Sequence, residues 1–184
     1  MLLAVVQAFL FFLPAGVANG APVFFQKWGW LKSLAAPIDK HHTIDDETIF
    51  GEHKTWRGII AGSLAGIIII LLESLIYNFI PASRSLFLFP YELPHILWLG
   101  FLLGLGAMLG DLIKSFFKRR LHIKNGASFF PFDQLDFLIG AITLGGLVYV
   151  PSWTHLLIAI VSTPLLHFLS NLLAYHLKLK KVWW

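Results

Sequence analysis

The residues best suited to chemistry recur at helical spacing. Asp111, Lys114, Ser115 and Lys118 stand at i, i+3, i+4 and i+7 in an otherwise apolar stretch. On a helix these positions share one face and make a polar stripe. Arg119, Arg120 and Lys124 extend its positive charge, and Asp133 and Asp136, three apart, open the next apolar run. If both runs are helical, three carboxylates converge from two adjacent helices. An oxygen-only donor set suits a hard cation such as Mg²⁺, which commonly uses a few carboxylates plus substrate phosphates. The surrounding Lys114, Lys118, Arg119, Arg120 and Lys124 would neutralise phosphate oxygens, so a polyphosphate ligand satisfies both sets. Asp111 lies about two turns inside its apolar segment, roughly 10 Å from the end at 1.5 Å per residue. Placing a carboxylate there costs about 2.5–3.5 kcal/mol, so it needs a partner, a cation or a wet cavity. Spacing also admits a plainer arrangement, in which Asp111 pairs with Lys114 or Lys118 while Asp133 and Asp136 cap a helix.

A second group precedes another apolar run: Phe50-Gly51-Glu52-His53-Lys54-Thr55-Trp56-Arg57-Gly58. Thr55 is placed to cap that helix, whose free N–H groups favour a phosphate, and Lys54 and Arg57 add charge. The same residues would also serve as lipid-headgroup contacts, with Trp56 as an interfacial anchor. Upstream, Asp39, His41, His42, Asp45, Asp46 and Glu47 lack a metal-ligand spacing and read as solvated loop charge. His167 and Asn171, four apart in the last apolar run, would bind a ligand headgroup or bridge two helices. Glu73 is a lone acid within an apolar segment and a functional candidate by that fact alone.

These residues are positioned by elements that read as membrane helices. The chain is 57% hydrophobic and 13% charged, well beyond the apolar content of soluble domains. Five stretches reach spanning length: Leu2 to Gly20, Gly58 to Ile80, Pro94 to Phe117, Leu135 to Val150 and His155 to Lys178. No Lys or Arg precedes the first, so it reads as a retained helix rather than a cleaved signal peptide, despite the small residues Ala18 to Ala21. With five spans, thirteen of the fourteen Lys and Arg residues fall on one side, Arg84 being the exception. The positive-inside rule makes that side cytoplasmic, with the N-terminus outside and the C-terminus inside. The expected fold is therefore an all-α integral membrane protein in the cell membrane, a single domain over residues 1–184 with two functional cytoplasmic loops. Basic residues beside apolar spans point to membrane lipids and anionic ligands rather than nucleic acid. The absence of cysteine excludes disulfides and thiolate metal sites. No internal repeat of the kind that builds inverted-repeat transporters is visible. Gly100, Gly104, Gly106 and Gly110 would permit close helix packing, within one chain or between two copies in a homodimer.

The run from Gly110-Asp111 through Lys114-Ser115, Lys118-Arg119, Gly126, Asp133 and Asp136 resembles the signature of the membrane CTP:phosphatidate cytidylyltransferases, the CDP-diacylglycerol synthases. Closer is their archaeal branch, the CDP-archaeol synthases, which resemble this chain in a compact five-helix span pattern, a Lys-Thr-Trp-Arg-Gly-like segment and a Pro-x-Asp-Gln-x-Asp-Phe ending, here Pro131 to Phe137. Phe130-Pro131-Phe132 stands where the bacterial and eukaryotic pattern has His-Gly-Gly, and Asp133-Gln134 where it has Asp-Arg. The departure favours the archaeal branch. The resemblance implies transfer of CMP from CTP to the phosphate of an unsaturated isoprenoid ether lipid, releasing pyrophosphate, with phosphatidic acid as the alternative acceptor and a transporter or scaffold as the alternative class. It implies Asp111, Asp133 and Asp136 as ligands of Mg²⁺, with a second divalent or monovalent cation as companion. Lys114, Lys118, Arg119, Lys54 and Arg57 follow as phosphate-binding residues, and Thr55, Ser115, Arg120, Lys124, His167 and Asn171 as further substrate contacts. The Asp-Gly-x-x-Ala-Arg hallmark of CDP-alcohol phosphotransferases is absent.

Overall fold

The computed structural model describes residues 1–91, 94–124 and 127–176, apart from the side chains of residues 170, 171, 173 and 174. Its helices are α1 (Leu2–Lys27), α2 (Trp56–Phe79), α3 (His95–Arg120), α4 (Phe132–Gly145) and α5 (Trp153–His176). The first loop adds a two-stranded antiparallel hairpin, β1 (Thr43–Ile44) with β2 (Glu47–Thr48), pairing Thr43 with Thr48 and Ile44 with Glu47. The all-helical expectation therefore holds apart from this small ribbon.

Among the described residues three helices, α1, α2 and α3, are long and apolar enough to cross a membrane. Their outward faces stay apolar: Leu64, Ile68, Leu72 and Leu75 of α2 are exposed, a surface suited to hydrocarbon rather than water. The helix α4 has 14 residues, about 21 Å at 1.5 Å each, shorter than the expected span to Val150. In α5 the apolar stretch whose side chains are described is Trp153–Leu169. Residues 177–184, which carry the expected C-terminal charges, lie outside the described residues, as do Gly126 and the side chain of Asn171. The first helix extends to Lys27, beyond the expected end at Gly20, and buries Phe11, Phe12, Ala15 and Ala18 in the core.

Helix α3 is the centre of the bundle, packed against α1, α2 and α4, and glycines determine how closely. A methyl group at Gly104 would crowd Gly62 and Ser63 of α2, and one at Gly66 would overlap the Gly100 carbonyl oxygen. On the α4 side, a methyl at Gly140 would overlap the Gly106 carbonyl oxygen, and one at Gly110 that of Asp136. The glycine stripe thus serves contacts within one chain, on two faces of the same helix. Backbone-to-backbone approach against α4 brings Asp111 and Asp136 onto neighbouring turns.

The helix ends sort by charge. The ends of α1 and α3 and the starts of α2 and α4 lie at one end of the bundle with the loop bearing Lys27 to Arg57. Arg84 lies in a 3-10 turn, Pro81–Leu86, at the other end, over the Tyr77 ring. There Gln7 of α1 donates to the Ser85 carbonyl and meets His155 of α5, closing that end.

Candidate functional site

Thr55 begins α2 as expected: its hydroxyl accepts from the Gly58 N–H at 3.3 Å. Capping fixes where the loop turns into the helix and so where Lys54 points. The Lys54 ammonium reaches Asp111 of α3 at 2.5 Å. Lys114, one turn beyond Asp111, contacts three carboxylates with its single Nζ: Asp111 at 3.1 Å, Asp133 at 3.2 Å and Asp136 at 2.7 Å. Lys118, a further turn on, meets Asp133 at 3.2 Å and donates to the Ala127 carbonyl at 2.6 Å. The polar stripe and the paired acids therefore converge as their spacing predicts, and the first loop supplies a further cation.

Neither Asp133 nor Asp136 caps α4 in the ordinary way. Asp133 accepts from the upstream Phe129 N–H at 2.6 Å, and Asp136 from its neighbour Phe137 N–H at 2.5 Å. Three acids and three lysines share this region, so their formal charges balance. Asp136 is 7% exposed and Lys118 8%, and charges so enclosed persist only when paired.

Two cavities meet at this cluster. The larger, about 490 Å³, is an apolar groove between α3 and α4 lined by Gly106, Ile113, Phe117, Phe132, Ile139 and Gly140 among others, with Lys114 and Asp136 at its polar end. The second, about 440 Å³, is polar and is lined by Phe50, Gly51, His53, Lys54, Lys114, Ser115, Lys118 and Arg119. Lys114 lines both. An amphiphile in the groove and a polyanion in the polar cavity would therefore meet at the Lys114 ammonium, with Asp136 on the groove side.

Comparison with known proteins bears on what such a junction serves. The profile of the CarS-like family, described as CDP-archaeol synthase, matches residues 1–184. The chain belongs to the CDP-archaeol synthase family. A CDP-archaeol synthase of Pyrococcus furiosus is 37% identical over 98% of both chains, and that of Methanocaldococcus jannaschii 35% identical over 95% of this chain and 94% of its own. The CDP-archaeol synthase of Methanospirillum hungatei is 41% identical over 80% of this chain and 89% of its own. A solved structure described as an intramembrane enzyme for archaeal membrane lipids biosynthesis superposes with a TM-score of 0.72 at 28% identity, covering 91% of this chain and 94% of that one. The archaeal branch suggested by Pro131 to Phe137 is thus the family shown, in preference to the bacterial and eukaryotic synthases.

Within this CDP-archaeol synthase fold several of the expected site residues also bind the chain itself. Arg120 donates through Nη2 to the Glu47 and Thr48 carbonyls of β2 at 3.2 and 3.0 Å and lies over the Phe116 ring, tying the first loop to α3, while its Nε and Nη1 have no hydrogen-bond partner among the described residues. Arg119 lines the polar cavity but donates to the Ile123 carbonyl at 2.6 Å, closing the turn after α3. Ser115 donates to the Asp111 carbonyl at 2.8 Å. Lys124 is exposed, and neither it nor Arg57 lines the cavities. His167 belongs to α5, which packs on α1 and α4 away from the polar cavity.

Two arrangements escaped sequence reasoning. Asp39, read as loop charge, is 6% exposed and accepts from the His41, Phe50 and Gly51 N–H groups. It folds the loop back so that Phe50 and Gly51 border the polar cavity. Glu73 finds its partner in Tyr91, whose hydroxyl donates to it at 2.9 Å. Glu73 lies 18 residues beyond Thr55 on α2, about 27 Å along the helix, so it takes no part in this site. An acid and a tyrosine in distant segments carry no signal in spacing that links them.

Proposed function

We propose that this chain transfers CMP from CTP to the phosphate of an unsaturated archaeal ether lipid, yielding CDP-archaeol and pyrophosphate. The observation that carries the reading is the meeting of an apolar groove and a polar cavity at one cluster of acids and lysines. The groove suits isoprenoid chains with the lipid phosphate at its Lys114 and Asp136 end. The polar cavity suits the nucleotide triphosphate, with Lys54, Lys118 and Arg119 beside its phosphates.

Chemistry asks little of the chain in the way of proton transfer. A phosphomonoester is already an anion, so it needs no general base to attack the α-phosphorus. The obstacle is the repulsion between two anions and the charge that accumulates on departing pyrophosphate. Lys54, Lys114 and Lys118 lower the first and help carry the second, while the apolar walls exclude water that would compete as acceptor.

A hard divalent cation in the Mg²⁺ class, with a second divalent or monovalent ion, belongs to this proposal because the three acids supply only oxygen donors; in the structure the Lys114 ammonium stands between them, and among the described residues no group of acids and histidines is arranged to hold a metal ion. Asp111, Asp133 and Asp136 are the residues that would hold it, and it would supply charge neutralisation at the reacting phosphates. The basic end of the bundle is assigned to the cytoplasm, where CTP is made. That requires five crossings, an outside N-terminus and a cytoplasmic C-terminus. A homodimer is compatible with this reading.

The deciding experiment is pyrophosphate release from CTP by detergent-purified protein, with Mg²⁺ or with chelator, using digeranylgeranylglyceryl phosphate and phosphatidic acid in parallel. Mg²⁺-dependent release with the ether lipid supports the proposal. Equal rates with diacyl lipid would move the substrate to the phosphatidate class. No release with either lipid from folded protein would leave a transporter or scaffold.

A further inference from the structure

The end of α1 carries a surface that the site does not use. Phe24, Trp28 and Trp30 are each more than half exposed, and Leu31 is exposed beside them. Their rings are gathered rather than scattered: Phe24 stands 5.7 Å from Trp28, Trp28 5.0 Å from Trp30, and Trp30 5.1 Å from Phe25. The left-handed turn at Gly29 (φ 68°) lets rings two residues apart meet. Lys27 and Lys32 are exposed on either side, and no acidic residue occurs between Met1 and Ile38. Exposed apolar patches of this kind mark interaction sites, and this one has a fixed level on the bundle. Among the described residues, Trp28, Trp30 and Trp56 lie at the basic end, Trp98 and Trp153 lie at the other, and no tryptophan lies between. The two levels are separated by about the length of α2, 24 residues or about 36 Å at 1.5 Å each. That is close to the spacing of the two interfaces of a bilayer, where tryptophan collects.

An aromatic patch flanked by lysines, at the edge of an apolar bundle, matches the headgroup layer of a membrane that carries negative charge. What the patch touches also bears on the site. The 3-10 turn Lys32–Leu34 packs on α2, and just beyond it the chain bonds to the backbone on either side of Lys54. The Trp56 N–H donates to the Ala36 carbonyl at 3.3 Å, the Ile38 N–H donates to the Lys54 carbonyl at 2.9 Å, and Pro37 bridges to Thr55. Lys54 in turn pairs with Asp111. We propose that Phe24, Trp28, Trp30 and Leu31, with Lys27 and Lys32, form a docking surface for the anionic headgroup layer of the membrane, and that this contact sets the place of Lys54. Its second half rests on the site reading proposed above. Lys114 and Lys118 stand on a packed helix, whereas Lys54 comes from a loop; a membrane contact one short segment away gives that loop a fixed base.

The chain has no cysteine, so Trp28→Cys and Trp30→Cys each accept a single environment-sensitive fluorophore, with the exposed Asp45→Cys in the β1–β2 turn as control. In nanodiscs the quencher is a lipid with a nitroxide near its headgroup, either phosphatidylglycerol or phosphatidylcholine at equal mole fraction. Expected is strong quenching at positions 28 and 30 and little at 45, with phosphatidylglycerol about fivefold more effective, the factor that one lysine contributes at an anionic surface. Combining Lys27→Gln with Lys32→Gln should remove that preference. Quenching at 28 and 30 no greater than at 45 overturns the docking surface, and equal quenching by both headgroups overturns its anionic partner. Probe-to-probe contact between copies in place of quenching assigns the patch to a second copy of the chain and overturns the proposal. The link to Lys54 is read from equilibrium CTP binding in the same nanodiscs. Lys54→Ala should weaken binding about tenfold, the loss of one charge-assisted contact. Trp28→Ser with Trp30→Ser should also weaken it, and all three substitutions together should bind no worse than Lys54→Ala alone. Losses that multiply overturn the link while leaving the docking surface. Wild type that binds no CTP removes the site reading and the link with it, whereas the quenching still decides the docking surface.

Discussion

At the scale of single residues, the three acids differ in what surrounds them, and their substitutions should differ accordingly. Asp133→Asn keeps the shape of the side chain but removes the charge that faces Lys114 and Lys118. Loss of several kcal/mol of phosphate-charge stabilisation corresponds to at least about a hundredfold in rate. Pyrophosphate release should therefore fall by that factor or more while the melting transition persists; full activity would exclude Asp133 from the site. Asp39 makes a different prediction because it acts on the loop. Burial raises its carboxyl pKa, but the N–H groups of Phe50, His41 and Gly51 outweigh burial and hold it below the ordinary carboxylate value. A depressed value means that the contribution to stability is complete above the unfolded pKa, near about 4, and is lost as pH falls through the folded one. Limited proteolysis of residues 28–55 should accelerate as the medium is acidified below about pH 4. Asp39→Asn should be cleaved readily at neutral pH, with local stability lower by about 2 kcal/mol. An unchanged cleavage profile would mean that Asp39 does not organise the loop.

At the scale of elements, the site depends on two helices whose backbones nearly touch. Gly106, Gly110 and Gly140 allow α3 and α4 to approach until carbonyl oxygens occupy the space where side chains would begin. Overpacking a close contact costs about 1–3 kcal/mol. Gly140→Ala should lower the melting temperature and reduce activity by separating Asp136 from Asp111 and Lys114. Gly16→Ala, which meets nothing within 4 Å, is the matched control and should leave both unchanged. If the two variants melt alike, the α3–α4 approach is looser than the geometry requires. Arg120 acts at the same scale: by holding the β2 carbonyls it fixes the first loop against α3. Arg120→Ala should raise the KM for CTP through a mobile loop, and Arg120→Lys should restore only part of that loss, because a lysine lacks the planar fork of donors.

At the scale of the whole molecule, the distribution of charge decides which face meets the cytoplasm. The chain has no cysteine, so single cysteines report accessibility cleanly. A cysteine replacing Arg84 should react with a membrane-impermeant maleimide in intact cells, whereas one replacing Lys40 should react only after the membrane is opened. The reverse pattern would invert the proposed orientation.

Much of this arrangement was legible beforehand. Apolar stretches and clustered positive charge determine a membrane bundle and its basic end, because burial in hydrocarbon and charge asymmetry are additive properties of composition. The 3.6-residue period alone put Asp111, Lys114, Ser115 and Lys118 on one face, and the cap at Thr55 followed from its type and place. Tertiary structure decided the rest. It showed that the glycine stripe joins helices within one chain, that Arg120 ties the first loop to α3, that Asp39 organises that loop, and that Lys114 stands among the three carboxylates. Each of those depends on contacts between residues far apart in the chain, and local periodicity specifies a direction from the helix axis but not which neighbour lies there.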